Sequence, residues 1–193
     1  MTRSIPLAGL LLLGACVKFG NEPPPSLLAL DSAARVEPGK TRSSADSPTI
    51  SVRVPSVPQE LAVQRVPVQA SDTSIAYVKD AQWVEPPARL FARLLSDTIS
   101  ARTGRIVVGA ARGMVDPGAQ LTGELRSFTI DAETREAVVT YDASLVRADS
   151  RVVANRRFEA RVPVTAIEPQ PVGRALNQAA NQVATEVADW IGR

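Results

Sequence analysis

Residues 121–162 read LTGELRSFTIDAETREAVVTYDASLVRADSRVVANRRFEARV. Three runs within them, residues 121–130, 137–146 and 152–162, are rich in strand-forming residues and are separated by short polar turns. The middle run alternates strictly, and its apolar face carries Val139, Tyr141, Ala143 and Leu145. Its polar face carries Thr140, Asp142 and Ser144. This alternation predicts an antiparallel meander with one face on a core and one face in water.

Shorter strands are predicted upstream of the meander. Ile50, Val52 and Val54 alternate with polar neighbours, and residues 65–68 and 74–78 continue the same period. Residues 107–108 add a short apolar run. Residues 38–48 are rich in breakers and lack apolar periodicity, so they are predicted to form a surface loop.

Two helices are also predicted. Pro86 and Pro87 suit a first turn, where a missing amide hydrogen costs little, and Gly104 suits a helix end. Between them the apolar residues follow three- and four-residue spacing: Leu90, Phe91, Leu94, Leu95 and Ile99. A second helix is predicted to start after Pro171, with an apolar stripe of Val172, Leu176, Ala179, Val183, Val187 and Trp190. Its polar face carries Asn177, Gln178, Asn181, Gln182 and Glu186.

Together these elements predict an α+β domain over residues 27–193. We expect a mostly antiparallel sheet with both helices packed on one of its faces. The chain has 193 residues, of which 45% are hydrophobic, and this is enough for one domain with an ordinary core. No disulfide is needed, and none can form within a chain that has one cysteine.

Composition excludes most designs of active site. The chain has no histidine and one cysteine, so it holds no Ser-His-Asp triad and no Cys-His pair. A zinc site would have to be built almost wholly from carboxylates. We therefore expect no enzyme, no cofactor and no metal. Lys+Arg 22 against Asp+Glu 20 also leaves no concentrated basic face, so we expect no nucleic-acid partner.

The first residues are typical of a bacterial lipoprotein signal. Residues 1–15 combine Arg3 with a short apolar run, which is a layout of cleaved secretory signals. Leu13, Gly14 and Ala15 directly precede Cys16 and resemble the lipobox read by the lipoprotein signal peptidase. That resemblance implies a diacylglycerol thioether on Cys16, cleavage before it, and an acyl chain such as palmitate on the freed amine. The alternative is a plain secreted protein.

Residues 16–26 form the predicted lipidated tether. The run Pro23, Pro24, Pro25 favours an extended polyproline conformation, which at about 3.1 Å per residue spans roughly 30 Å. Val17 and Lys18 follow the cysteine, where enterobacterial lipoproteins kept in the inner membrane carry aspartate. The predicted location is therefore the periplasmic face of the outer membrane, with the lipid anchor as the membrane contact.

The order of these segments resembles the ABC-type transport auxiliary lipoprotein family, which contains PqiC and YmbA. The matching pieces are the lipobox at Cys16, the apolar residues 27–30, the strand 50–54, residues 57–61 followed by 63–68, Tyr77, Trp83, Pro86 and the alanine-rich last helix. The resemblance implies a docking or structural subunit of an envelope lipid-transport system. In such systems an inner-membrane ABC transporter works with an MCE-type protein that bridges the periplasm, and the lipoprotein docks on it, in at least one case as a ring of subunits.

Two other functions stay open on the sequence. One is a free-standing lipid- or ligand-binding outer-membrane lipoprotein, whose pocket would lie between the sheet and a helix. The other is a hydrolase that uses only carboxylates and serines, and no motif in the sequence supports it.

Several residues could contact a partner or belong to the core. Trp83 before a proline pair could face a partner, or it could pack over the helix start. Trp190 could lie at a membrane interface, or it could close the core, as its register with Val183 and Val187 favours. Arg156 and Arg157, with Arg151 and Arg161 nearby, could face anionic groups, although charges that protect a strand edge are the commoner case.

Two further patterns have ordinary structural explanations. Gly104 with residues 109–113 superficially resembles a phosphate loop, but no lysine follows in the Walker arrangement. The carboxylates Asp116 with Glu124, and Asp131 with Glu133, are explained as turn residues and strand ends. We assign no acid or base.

Overall fold

The computed structural model describes residues 26–39, 41–109, 117–148 and 152–192. Within these residues the chain forms seven strands and two α-helices. The strands are β1 (Thr49–Val52), β2 (Arg65–Ser71), β3 (Ser74–Gln82), β4 (Ile106–Val107), β5 (Ala119–Asp131), β6 (Glu136–Arg147) and β7 (Val153–Pro163). The helices are α1 (Pro87–Thr103) and α2 (Pro169–Ile191). A short 3-10 turn, Gln59–Leu61, precedes β2.

The predicted meander is confirmed as β5, β6 and β7. β5 and β6 pair antiparallel from Ala119 opposite Arg147 to Asp131 opposite Glu136. β7 continues the meander antiparallel to β6, with Tyr141 opposite Phe158. β5 carries an irregularity between Leu125 and Ser127, which keeps apolar residues on the core face on both sides of Arg126.

The sheet as a whole is mixed, so the prediction of a mostly antiparallel sheet was wrong. β1 pairs in parallel with β4 and with β5, and β2 pairs in parallel with β5, while β2 and β3 form an antiparallel hairpin. β1 and β2 follow each other along β5 in one direction, with an isolated parallel bridge between Ser56 and Glu124 in the stretch that joins them. Both strands therefore run parallel to β5, a direction that the alternation of apolar residues does not determine. The α+β class itself is confirmed.

The helices occur close to the predicted positions. α1 ends at Gly104, whose φ of 72° is the left-handed conformation expected of a helix-ending glycine. α2 begins at Pro169, three residues before the predicted start at Val172. Pro169 and Pro171 both fall in its first turn, where backbone N–H groups have no intrahelical acceptor to lose.

Both helices pack on the same face of the sheet, as predicted. Phe91 of α1 meets Tyr141 edge to face at 5.3 Å, and Trp190 of α2 meets Phe158 at 5.7 Å. Tyr141 and Phe158 are cross-strand partners, so their side chains lie on one face. The core therefore fills the space between this face and the two helices.

Candidate anchoring site and docking surfaces

The predicted lipidation site lies outside the described residues. This applies to Cys16, to the recognition residues Leu13, Gly14 and Ala15, and to the tether before Ser26. The lipobox therefore stays a prediction from sequence. The structure instead shows where the chain that would lead from the anchor joins the folded domain.

The joining point is a single parallel bridge between Leu28 and Trp83. The N–H of Leu28 donates to the Gln82 carbonyl at 2.7 Å, and the N–H of Val84 donates to the Leu28 carbonyl at 2.8 Å. The Leu28 side chain packs against the core and meets the start of α2 at Gly173. The apolar residues 27–30 thus form one bridge rather than a full strand.

Beyond Leu28 the chain lies along α2, in a segment of residues 28–36 that we call the strap. The Asn177 side-chain oxygen accepts the N–H of Asp31 at 2.9 Å, and that of Asn181 accepts the N–H of Ala33 at 2.8 Å. The Asn181 amide also donates to the Asp31 carbonyl at 2.9 Å. Asn177 and Asn181 are one helical turn apart, so two carboxamides hold an extended backbone as a neighbouring strand would.

The strap also touches α1, through a hydroxyl pair of Ser32 and Thr98 whose oxygens are 3.2 Å apart. Thr98 is buried, and the exposed Asp97 beside it lies near Asp31 and Ser32 of the strap. Desolvation raises the pKa of Asp97, and the Asp31 carboxylate adds to this rise while Arg93 opposes it. The strap is therefore bound to both helices, and it enters at the end where both helices begin.

The opposite face of the sheet is a surface of paired charges. Arg157 donates two hydrogen bonds to the Asp142 carboxylate, at 2.6 and 2.7 Å, across β6 and β7. Arg126 lies 3.7 Å from the same carboxylate and 3.5 Å from Glu124. The hydrogen bond from Arg157 holds the pKa of Asp142 below its ordinary value.

A second set of ion pairs surrounds Arg161 on the same face. Its guanidinium donates to Glu159 at 2.9 Å and lies 3.6 Å from Glu136. The bond from Arg161 lowers the pKa of Glu159, and the hydroxyl of Thr140 contributes a further bond at 3.0 Å. This face therefore presents nearly balanced charge rather than a basic field.

The arginines of β7 fit the edge-strand explanation better than an anion site. Arg157 and Arg161 are paired with carboxylates, and Arg156 lies over the Phe158 ring at 5.0 Å. β7 pairs only with β6 among the described strands, so it is an edge strand that carries charge. Arg151 lies outside the described residues.

The two tryptophans belong to the packed interior. Trp83 is fully buried and meets Phe128 edge to face at 5.4 Å, so it does not face a partner. Its indole N–H has no hydrogen-bond acceptor within the described residues. Trp190, in the last turn of α2, is partly buried against Phe158 and covers the core there, as its register with Val183 and Val187 predicts.

The glycine and carboxylate patterns have structural roles where they are described. Gly104 ends α1, and residues 110–116, with Asp116, lie outside the described part of the chain. Asp131 accepts the backbone N–H groups of Glu133 and Thr134 at 2.9 and 3.0 Å, which closes the turn between β5 and β6. These bonds lower the pKa of Asp131. Within the described ranges no three Asp, Glu or Cys side chains come together as metal ligands.

The interface between helices and sheet is filled by side chains. Leu95 and Ile99 of α1, and Leu176 and Val183 of α2, are each 0% exposed. A cavity of about 640 Å³ lies instead on the surface at the ends of the helices, where Arg102, Arg105 and Asp189 line it. Neither α1 nor α2, the two helices in the described part of the chain, is long and apolar enough to cross a bilayer.

Comparison with known proteins identifies this fold. Residues 29–188 match the family model of the ABC-type transport auxiliary lipoprotein component. The crystal structure of protein XCC0632 from Xanthomonas campestris, assigned to family DUF330, superposes with a TM-score of 0.69 at 21% identity, covering 86% of this chain and 94% of that one. The crystal structure of an uncharacterised protein superposes with a TM-score of 0.63 at 17% identity, covering 74% of this chain and 90% of that one. No curated protein matches.

The two solved structures share the fold of this chain, an α+β domain in which two helices cover one face of a mixed sheet. The family match spans most of the chain and nearly every element of that domain. The chain belongs to the ABC-type transport auxiliary lipoprotein family.

Proposed function

We propose that this protein is a lipid-anchored docking subunit of an MCE-linked ABC-type lipid transport system, held at the periplasmic face of the outer membrane. The observation that carries the proposal is the family match over residues 29–188, which ties the chain to ABC-type transport as an auxiliary lipoprotein. The lipobox ending at Cys16 and the outer-membrane sorting residues Val17 and Lys18 supply the location.

In this role the subunit binds and positions a partner protein, and it catalyses no reaction. The chain has no histidine, and its carboxylates on the outer sheet face are engaged by Arg126, Arg157 and Arg161. Burial raises the pKa of the Tyr141 phenol, and its hydroxyl donates to the Thr122 carbonyl at 3.0 Å. It therefore serves as a hydrogen-bond donor in the core and supplies no base.

An alternative is a free-standing lipid-binding lipoprotein with a pocket between sheet and helix. The filled helix–sheet interface does not favour it, because a lipid chain there would have to displace side chains packed at interior density. A docking subunit needs no such cavity. Its partner would meet the outer sheet face, the β7 edge or the helix ends.

Co-purification tests the proposal. The full-length protein, expressed with its neighbouring MCE-type protein and solubilised from envelopes, should retain that protein on a C-terminal affinity tag. Cys16→Ala should release the chain from the outer membrane, and Val17→Asp should keep the lipid but move it to the inner membrane. A wild-type protein that never retains the MCE-type protein would contradict docking, and a Cys16→Ala protein that stays in the outer membrane would contradict the anchor.

A further inference from the structure

Three large apolar side chains stay exposed where the chain from the anchor joins the domain. Leu27 is 51% exposed, Val84 is 44% exposed and Val63 is 37% exposed. Leu27 and Val84 each lie beside a residue of the bridge that fixes the strap, and Val63 lies beside Gln64, which is hydrogen-bonded to Trp83 of that bridge. We call these three side chains the entry patch.

Backbone hydrogen bonds hold the entry patch together. Leu28 and Trp83 are bridge partners whose side chains point to the core, so Leu27 and Val84, each one residue along an extended chain, point away from it. Val63 precedes Gln64, whose carbonyl accepts the Trp83 N–H at 2.7 Å. The Gln64 side chain also donates to the Val84 carbonyl at 3.1 Å.

The outward direction of the patch is therefore fixed by the fold. Its side chains face water although the residues next to them along the chain, Leu28 and Trp83, reach the core. Apolar side chains fixed in this way form a docking surface when something apolar lies within reach.

The membrane lies within reach. Residues 16–25 are all that separates the predicted lipid on Cys16 from the first described residue, and a chain of that length spans at most about 35 Å when fully extended. A shorter path of the tether holds the patch closer to the membrane surface than this limit. Apolar side chains beside a lipid anchor add to membrane binding, because each buries area that water would otherwise cover.

We infer that the entry patch rests on the phospholipid surface and fixes the orientation of the domain, with the starts of both helices toward the membrane. This rests on the lipid anchor of the proposed function. The ends of the helices would then point into the periplasm, since α1 and α2 run side by side with Ser32 bonded to Thr98 at one level and Arg102 bonded to Asp189 further on. The partner would approach from that end or from the outer sheet face.

Depth-dependent quenching tests this inference in the full-length lipidated protein. Reconstitution would use vesicles of phosphatidylethanolamine and phosphatidylglycerol that carry a shallow nitroxide lipid. A polarity-sensitive fluorophore is attached to Ala29→Cys, an exposed position beside the patch, or to Val153→Cys as the control. Val153 is 52% exposed and lies at the far end, where Arg147 bonds to the last turn of α2. The native thiol carries lipid, so only the introduced thiol is labelled.

We expect the label at position 29 to shift to the blue and to be quenched by the nitroxide lipid, and the label at position 153 to show neither effect. Replacing the patch by Leu27→Ser, Val63→Ser and Val84→Ser should abolish most of the quenching while the protein still floats with the vesicles. Equal quenching at both positions, or none at position 29 in floating protein, would overturn the inference.

Two further outcomes separate the possible causes of failure. A blue shift at position 29 without lipid quenching would mean that a second protein copy covers the patch, and it would overturn the membrane assignment. Protein that does not float would contradict the lipid anchor itself, and with it this inference. A floating protein with an unquenched label leaves the anchor intact and rejects the patch alone.

Discussion

Gly123 shows how a single residue lets the meander pack. On β5 it lies beside Tyr141 of the neighbouring strand, and a Cβ added there would come within 2.7 Å of the tyrosine ring. It would also collide with the Asp142 carbonyl. The ring lies over the glycine and donates its hydroxyl bond to the adjacent Thr122 carbonyl. Glycine here is required by close approach rather than by its φ angle.

We expect Gly123→Ala to lower the free energy of unfolding by about 2 kcal/mol, because the ring or the β6 backbone must move to admit the methyl group. Urea denaturation followed by tryptophan fluorescence measures the change. Gly109→Ala is the matched control, since an added Cβ there meets no atom within 4 Å. An equal free energy of unfolding for the two variants would show that the sheet accommodates the added methyl group without loss of stability.

Side-chain identity was predictable in the core and not at the strap. The apolar stripe of α2 follows directly from helical spacing, and Trp190 lies where that spacing predicts. Asn177 and Asn181 were predicted only as part of a polar face. Two asparagines one helical turn apart can hydrogen-bond to water as well as to a neighbouring backbone. Their spacing therefore does not predict that the strap binds there.

The ion-paired face of β6 and β7 is an element whose contribution to stability depends on pH. Hydrogen bonds from Arg157 and Arg161 depress the pKa values of Asp142 and Glu159 in the folded protein. A carboxyl group whose pKa is lower in the folded than in the unfolded protein stabilises the fold at a pH above its unfolded-state pKa, which is about 4. This contribution is lost as the pH falls through the folded-state pKa. These pairs are half-exposed, so each contributes only about 0.5 kcal/mol.

Asp142→Asn should therefore lower the free energy of unfolding by about 0.5 kcal/mol at neutral pH, and this deficit should shrink at an acid pH, where the wild-type carboxylate begins to take up a proton. Denaturation curves at both pH values give the comparison. Asp72→Asn, in the exposed turn between β2 and β3, is the control. A constant deficit at both pH values would mean that the ion pair is not the cause.

The strap is the second element that can be tested by itself. Asn181→Ala removes the acceptor of the Ala33 N–H and the donor to the Asp31 carbonyl. A hydrogen bond of this type contributes about 1 kcal/mol, so the Ala33 amide should exchange with solvent about fivefold faster. Gln182→Ala, an exposed neighbour on α2, should leave that exchange unchanged. Unchanged exchange in Asn181→Ala would show that the strap is held by Leu28 alone.

At the scale of the molecule, strand existence was predictable and strand direction was not. The meander of β5, β6 and β7 follows from alternation and short turns, whereas β1, β2 and β4 are short strands whose partners lie far along the chain. Alternation sets which face is buried and says nothing about direction.

The position of the strap links the domain to its predicted membrane. The described chain begins at Ser26, and Leu28 lies close to the start of both helices. The arrangement fits a subunit that is held by its N-terminus and presents its remaining surfaces to a partner. The outer sheet face among them carries the ion pairs of Arg157 with Asp142 and of Arg161 with Glu159.

The anchor is tested most directly by the mass of the protein extracted from envelope membranes. Our account predicts a chain that starts at Cys16 and carries a diacylglyceryl group on the thiol and an acyl chain on the amine. A soluble protein with an unmodified Cys16 thiol, or one that retains Met1, would contradict it.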